Sequence, residues 1–457
     1  MIVNIDKEIC TGCRRCASVC PVDAIEGNQG EAQIINEDKC VICGQCVQIC
    51  SAYSSEFEVD STYIDKKVKE RGMLETVKEP LFAAYNICDV QKVKKSLSND
   101  KLHKIVQCAP AVRVALAEDF GLDLGSLTDK KLAAVLRRMG FDRVYDTNFS
   151  ADLTIMEEGS ELIKRVTEGN NLPMFTSCCP AWVKFMEQEY PELSNHLSSC
   201  KSPQQMAGAI FKTYGAHIDN VNSEDVFSVS VMPCTCKKYE CDREEMNSSG
   251  YKDVDVVITT RELAYLIKDM EIDFKNIEEE KFDNPLGDYT GAGTIFGTTG
   301  GVMEAAIRTG YELITKESIP NIDIHSVRGE NGVTKSTIDV GDIKLNVAVV
   351  SGLENIKSIL EDVKNNRSNL HFIEVMTCPQ GCISGGGQPK VILDKYKELA
   401  YNNRKKSIYA HDGECAVRKS HENESIKKLY EEFLGEPLGE KSHHLLHTEY
   451  ALRKEKY

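Results

Sequence analysis

Leu345-Asn-Val-Ala-Val-Val-Ser351 and His371-Phe-Ile-Glu-Val-Met376 are two β-rich runs separated by the amphipathic stretch Leu353 to Val363. β-branched residues crowd both runs, and the stretch between them repeats its apolar residues at a helical period. Strand, helix and strand of these lengths make a βαβ unit, which belongs in a parallel sheet. The second strand leads directly into Thr377-Cys-Pro-Gln-Gly-Cys-Ile-Ser-Gly-Gly-Gly387. Open parallel sheets bind ligands beyond the carboxyl ends of their strands, which puts Cys378 and Cys382 at a ligand site. The glycine run after Cys382 lets backbone pass close to a bulky group.

The arrangement recurs upstream. Pro173-Met-Phe-Thr176 precedes Cys178-Cys-Pro-Ala-Trp182, and the strand Val226-Phe-Ser-Val-Ser-Val-Met232 precedes Cys234-Thr-Cys-Lys237. A further strand is expected over Val254 to Ile258 and a helix over Glu262 to Met270. From about residue 104 onward the expectation is therefore an α/β domain with its cysteine loops at strand ends. Thiolates converging from separate loops bind a soft metal centre, and four of them suit an iron–sulfur cube.

The first fifty residues hold an internal repeat, Cys10-x2-Cys13-x2-Cys16-x3-Cys20-Pro and Cys40-x2-Cys43-x2-Cys46-x3-Cys50-Ser. This is the two-cluster ferredoxin spacing, in which the fourth thiolate of each run crosses to the other cube. Cys10, Cys13, Cys16 and Cys50 are expected to hold one [4Fe–4S] cluster. Cys40, Cys43, Cys46 and Cys20 are expected to hold a second. The organisation read from the chain is an α+β ferredoxin-like domain over 1–55, a helical linker over 56–103 and a catalytic domain over 104–457.

At 457 residues, 41% hydrophobic and 28% charged, the chain has ample core for a globular protein. Nineteen cysteines suit metal ligation in a reducing compartment better than disulfides. A net charge of −16 argues against nucleic acid. Met1-Ile-Val-Asn-Ile-Asp6 has no basic or apolar leader region, and no apolar run is long enough for a membrane helix, so a cytoplasmic location is expected. Two basic runs, 65–71 and 92–95, could meet an acidic partner, although solvated helix faces are the plainer reading.

The segments around Cys178, Cys234 and Cys378, with Glu374 to Pro389 entire, resemble the signature of the [FeFe]-hydrogenases, and the resemblance extends over nearly the whole chain. It implies a two-lobed α/β domain with parallel sheets and the cofactor between the lobes. It implies an H-cluster: a [4Fe–4S] cube on Cys179, Cys234, Cys378 and Cys382, with Cys382 bridging to a two-iron subsite carrying CO, cyanide and azadithiolate. Cys178 would then be a free thiol that relays protons, continued by Glu158, Ser198 and Glu161. Lys237 matches the lysine that hydrogen-bonds a cyanide. Met232 and Met376 match thioethers packed around the two irons. Pro110 and Ala111 match the segment meeting the other cyanide, with Ala111 where serine is frequent, and Ser202, Pro203 and Gln204 match a pocket wall.

Cys200, Cys236, Cys241 and Thr377 depart from the small residues expected at their positions. They read as neutral packing, or, for Cys236 and Thr377, as groups that tune the cube by hydrogen bonding. His443, His444 and His447 are expected to pack at the surface. The activity implied is reversible oxidation of H2 to protons, with electrons passing through the two ferredoxin clusters to ferredoxin or to iron–sulfur subunits of a larger complex, one linked to formate dehydrogenase among them. Maturation proteins would install the two-iron unit. An H2 sensor or a non-catalytic iron–sulfur assembly factor is the rival reading, and such proteins lack counterparts of residues present here, such as Cys178.

Overall fold

Two four-stranded sheets frame the catalytic part of the computed structural model, which describes residues 1–54, 61–76, 79–329 and 332–450. The first runs in the order Val256–Thr259, Val226–Met232, His103–Cys108, Arg143–Asp146, all parallel. Its register sets Val231 beside Cys108 and Met232 beside Thr259. The second runs Gly332–Val340, Ile343–Ser351, Phe372–Met376, Met174–Phe175. Its last three strands are parallel, and the first is an antiparallel edge. Ile373, Val375, Val347 and Val349 are buried, as expected of strands covered on both faces.

The βαβ unit read from the sequence is present, with Lys357–Lys364 as its helix after a short 3-10 turn at Leu353–Asn355. The helix after Val256–Thr259 spans Thr260–Asp269 and opens on a capping box between Thr259 and Glu262. The longest helix, Thr147–Glu168, starts where the Asp146 side chain accepts a hydrogen bond from the Asn148 N–H. This helix carries Glu157, Glu158 and Glu161 into the interior.

The ferredoxin part has two short helices, Arg15–Ser18 and Gln45–Ile49, each beginning beside its cysteine run. Residues 61–103 differ from a purely helical linker. Helices Ser61–Glu70 and Val90–Leu97 are present, but between them Leu81–Phe82 pairs with Tyr53–Ser54, and Ala84–Asn86 pairs with Val3–Ile5. Backbone of two or three residues finds partners here because ferredoxin edge strands would otherwise present unpaired N–H and C=O groups. Residues 55 and 56, where the first boundary was expected, lie outside the described residues.

One apolar cluster runs from Val41, Ile42 and Val47 through Phe175 and Trp182 to Val350 and Val375. The ferredoxin part therefore packs on the second lobe as one body. No helix among the described residues is long and apolar enough to cross a membrane.

Candidate metal and proton-transfer site

All three loops expected to carry the four cube ligands end in one cavity of about 90 Å³ between the two sheets. Cys179, Cys234, Cys378 and Cys382 line it. Burial is the largest influence on each shifted thiol: Cys234 is pushed up to about 11, Cys382 to about 12 and Cys378 well above the usual range. The neighbouring thiols add to each rise, which shows how closely they converge. Mutually repelling, buried thiolates are stable only when a cation shares them, and none of the nineteen cysteines is in a disulfide. Gly381 and Gly385 line the cavity too, and only glycine fits there: a Cβ on Gly385 would lie 2.2 Å from the Pro233 carbonyl oxygen, and one on Gly381 2.7 Å from the Thr299 nitrogen. The donor set and the glycine-lined wall together fit a cubane with a further group beside it.

Cys178 faces the same cavity, but its neighbours differ. Its thiol is held well above the ordinary range by burial and then by Glu158. Glu158 is buried, with one carboxylate oxygen unpartnered, and burial followed by Glu161 lifts it to about 8. Ser198 bonds this carboxyl and donates to Glu161 Oε2 at 2.8 Å. Glu161 then pairs with Arg165 at 2.6 Å, four residues along the same helix. Thiol, carboxyl, hydroxyl and carboxylate therefore line up from the cavity toward the exterior.

Lys237 lines the cavity beside Cys178. Its Nζ donates to the Cys178 carbonyl at 3.0 Å and to Glu240 Oε2 at 2.8 Å. Burial opposes its charge, and Glu240, one helical turn on, more than offsets that, so the ammonium is held charged above its usual range. Met232, Met376, Pro110, Pro203 and Gln204 line the cavity too. Ala111 and Ser202 stand just behind: the Ala111 carbonyl accepts from Gln388 Nε2 at 2.8 Å, and the Ser202 hydroxyl donates to Glu240.

Several residues here escaped the sequence reading. Glu240 holds Lys237, Gln204 and Ser202. Glu374, buried beneath Met376, accepts from the Gly300 and Met303 N–H groups at 2.7 Å each, and burial lifts it to about 7. His447 corrects the expectation of a surface histidine. It is buried, bonded to Glu157 at 3.0 Å and to Ser199 at 2.8 Å, because the C-terminal chain folds back over the long helix. Cys200 lies between its ring and Glu161. His443 and His444 are exposed.

The ferredoxin cysteines gather in the two expected sets. Cys16 responds to Cys50, Cys10 and Cys13, whereas Cys40 and Cys43 respond to Cys20. Cys43 also responds to Cys234 of the cavity. The second set is fastened there directly. Thr235 Oγ donates to the Ile42 carbonyl at 2.7 Å, Gln45 to the Ser384 carbonyl and Gln48 to the Gly385 carbonyl, each at 3.1 Å.

A cavity of cluster-forming thiols wired to ferredoxin-type cysteines defines an iron–sulfur oxidoreductase. Residues 102–386 match the model for the iron-only hydrogenase large subunit, C-terminal domain; residues 398–453 match the iron hydrogenase small subunit; residues 2–51 match a 4Fe–4S dicluster domain. The chain is 45% identical to the NADP-reducing hydrogenase subunit HndD of Solidesulfovibrio fructosivorans, over 98% of this chain and 74% of that protein. It is 39% identical to iron hydrogenase 1 of Clostridium pasteurianum, over 91% of this chain and 75% of that one. The fold superposes on apo [FeFe]-hydrogenase HydA1 of Chlamydomonas reinhardtii with a TM-score of 0.71 and 42% identity, covering 79% of this chain and 98% of that one. The chain belongs to the iron-only, or [FeFe], hydrogenase family and is an oxidoreductase of H2.

Proposed function

We propose that this chain interconverts H2 with protons and electrons at an H-cluster whose cube is held by Cys179, Cys234, Cys378 and Cys382. The observation that carries the reading is the convergence of these four thiols with Cys178 and Lys237 on one buried cavity. When bound, the cofactor supplies an open iron for H2 and a basic amine beside it. Lys237, charged and with no acceptor capacity, anchors an anionic ligand on its side of the cavity. Met232 and Met376 keep the surroundings dry and fill space without competing as donors. Cys178 holds a proton at Sγ and hands it to Glu158, whose carboxyl near 8 can take and release a proton close to neutrality. Ser198 passes it to Glu161, which releases it toward solvent, while Arg165 holds the carboxylate and takes no proton itself.

Electrons are proposed to leave through two [4Fe–4S] clusters, the nearer on Cys20, Cys40, Cys43 and Cys46 and the outer on Cys10, Cys13, Cys16 and Cys50. Contact between Cys43 and the Cys234 loop supports that order. The domain division 1–55, 56–103 and 104–457 and a cytoplasmic location complete the proposal. The electron acceptor is proposed to be a ferredoxin or an iron–sulfur subunit, a formate dehydrogenase-linked assembly being one setting. Maturing the chain and recording CO and cyanide stretches in the infrared, with iron counted per chain, tests the cofactor. Cluster-loaded, matured protein that neither evolves nor oxidises H2 refutes the function.

A further inference from the structure

Helix Asp394–Glu414 buries a stripe that begins only at Ala400 and continues through Arg404 and Ile408. Its first turn and the two residues before it instead show apolar side chains to solvent. Ile392 is 49% exposed, Leu393 56%, Tyr396 44% and Leu399 49%. Tyr396 and Leu399, three residues apart, share a face of the helix, and Ile392 and Leu393 lead into it. Ile392, Leu393 and Tyr396 fall in the join between the two matched hydrogenase regions, outside both.

This face abuts the outer ferredoxin cysteines. Arg15 bonds Asp394 at 2.7 Å and the Ser51 hydroxyl at 3.1 Å. Lys390 donates to the Cys50 carbonyl at 2.8 Å and lies over the Phe82 ring, which packs against exposed Tyr53. Cys13 is the exposed member of the eight ferredoxin cysteines. An apolar face of this kind is what small electron-transfer interfaces present, with a charged rim that steers the partner.

The rim is basic in an acidic chain. Lys395, over the Tyr396 ring, and Lys397 stand on the same helix, Arg15 reaches it through Asp394, and exposed Arg14 precedes Arg15. Arg15 and Lys397 share Asp394, so four cations meet two carboxylates, Asp394 and Glu398, in a chain that carries −16. The basic runs singled out in the sequence are paired as well: Lys67 with Asp6 and Glu8, Arg71 with Asp6, Lys92 with Asp89, Lys94 with Asp269.

We propose that Ile392, Leu393, Tyr396 and Leu399, rimmed by Arg14, Arg15, Lys395 and Lys397, form the docking face for an acidic iron–sulfur electron carrier. The proposal rests on the hydrogenase reading above. Each H2 oxidised releases two protons to water and two electrons, which reduce two carrier clusters by one electron each.

The test compares two electron acceptors for the matured full chain: methyl viologen, which needs no docking face, and an acidic two-[4Fe–4S] bacterial ferredoxin. Leu393→Asp/Tyr396→Asp should leave H2-dependent viologen reduction within about twofold of the parent and lower kcat/KM for ferredoxin by about tenfold or more. Leu393→Gln/Leu399→Gln, a milder change, should show the same split. Arg14→Glu should weaken the salt dependence of the ferredoxin rate. Unchanged ferredoxin kinetics, equal losses with both acceptors in both double variants, or a parent that reduces viologen but not ferredoxin overturns the proposal. A parent dimer that the double variants dissolve also overturns it, since the face would then meet a second copy. Failure of the parent with viologen strikes the hydrogenase reading instead.

Discussion

Cys178 and Cys179 are neighbours in the chain, yet their side chains meet different chemistry. Cys179 faces the other cube thiols, and Cys178 faces Glu158 and the Lys237 wall. Cys178→Ala should keep the iron–sulfur EPR signals and lower H2 turnover by about 10²–10⁴-fold, the range for losing a positioned proton-transfer group. Glu158 adds a pH signature. Its carboxyl is lifted to about 8 from an ordinary 4.5, so between these values the folded chain holds a proton that the unfolded chain has released. Stability from this group therefore falls as pH rises through that window and is level above it. Denaturant titrations of the cofactor-free chain at pH 6 and pH 8 should show Glu158→Gln losing less stability over that interval than the parent. Thr377, buried and 3.2 Å from Cys179 Sγ, has a hydroxyl that must donate once the sulfur is a ligating thiolate. Such a bond stabilises the reduced cube, so Thr377→Val should lower its midpoint potential. With a bond of about 1 kcal/mol, the drop is on the order of 40 mV in an EPR-monitored titration.

Glycines let two cysteine loops touch at the level of whole elements. A Cβ on Gly386 would stand 2.5 Å from the Cys43 carbonyl oxygen, and one on Gly44, where φ is +72°, 2.6 Å from Thr235 Oγ. Gly386→Ala should therefore cost about 1–3 kcal/mol in unfolding of the cofactor-free chain, the range for overpacking, with slower reduction of the ferredoxin clusters after H2 is admitted. The cysteine-bearing elements were legible in the sequence because each couples an apolar, β-branched run to a thiol, and Val226–Met232 has the bounds expected of it. The edge strand Gly332–Val340 was not, since Val333 points outward while Thr334 and Ser336 sit on the half-buried face, which scrambles the alternation. Strands of two and three residues at 81–86 carry no pattern at all; their partners lie more than 25 residues away. Glu240 and His447 were equally invisible. Their roles come from what the fold sets beside them, and a helical Glu or His near a chain end has no local mark of burial.

Across the whole molecule, the C-terminal segment binds the lobes together through buried charge. Arg404 reaches Glu118 beside the first sheet and the Ile383 carbonyl beside the second. Asp412 accepts from Arg308 at 2.9 Å and from Arg418 at 2.6 Å, and Arg308 also holds Glu304 of helix Gly301–Thr315. Burial raises the Asp412 carboxyl, and the two guanidinium groups more than reverse this, leaving it below the usual carboxylate range. Its contribution to stability is thus fully present above the unfolded carboxylate value and is lost as pH falls through the lower folded one. Asp412→Ala leaves Arg308, which has no exposed side-chain surface, with Glu304 and the more distant Asp323 at 3.9 Å. Removing one member of a buried ion pair costs about 3–5 kcal/mol, far more than the intact pair contributes over an apolar replacement. Denaturant unfolding near neutral pH should show that loss, and the gap between parent and variant should close as the solution is taken below about pH 4. The cube thiols come from both lobes, so loosening this clamp should also raise the rate at which a chelator strips iron from the cube relative to the outer ferredoxin cluster, whose cysteines all lie within one short segment.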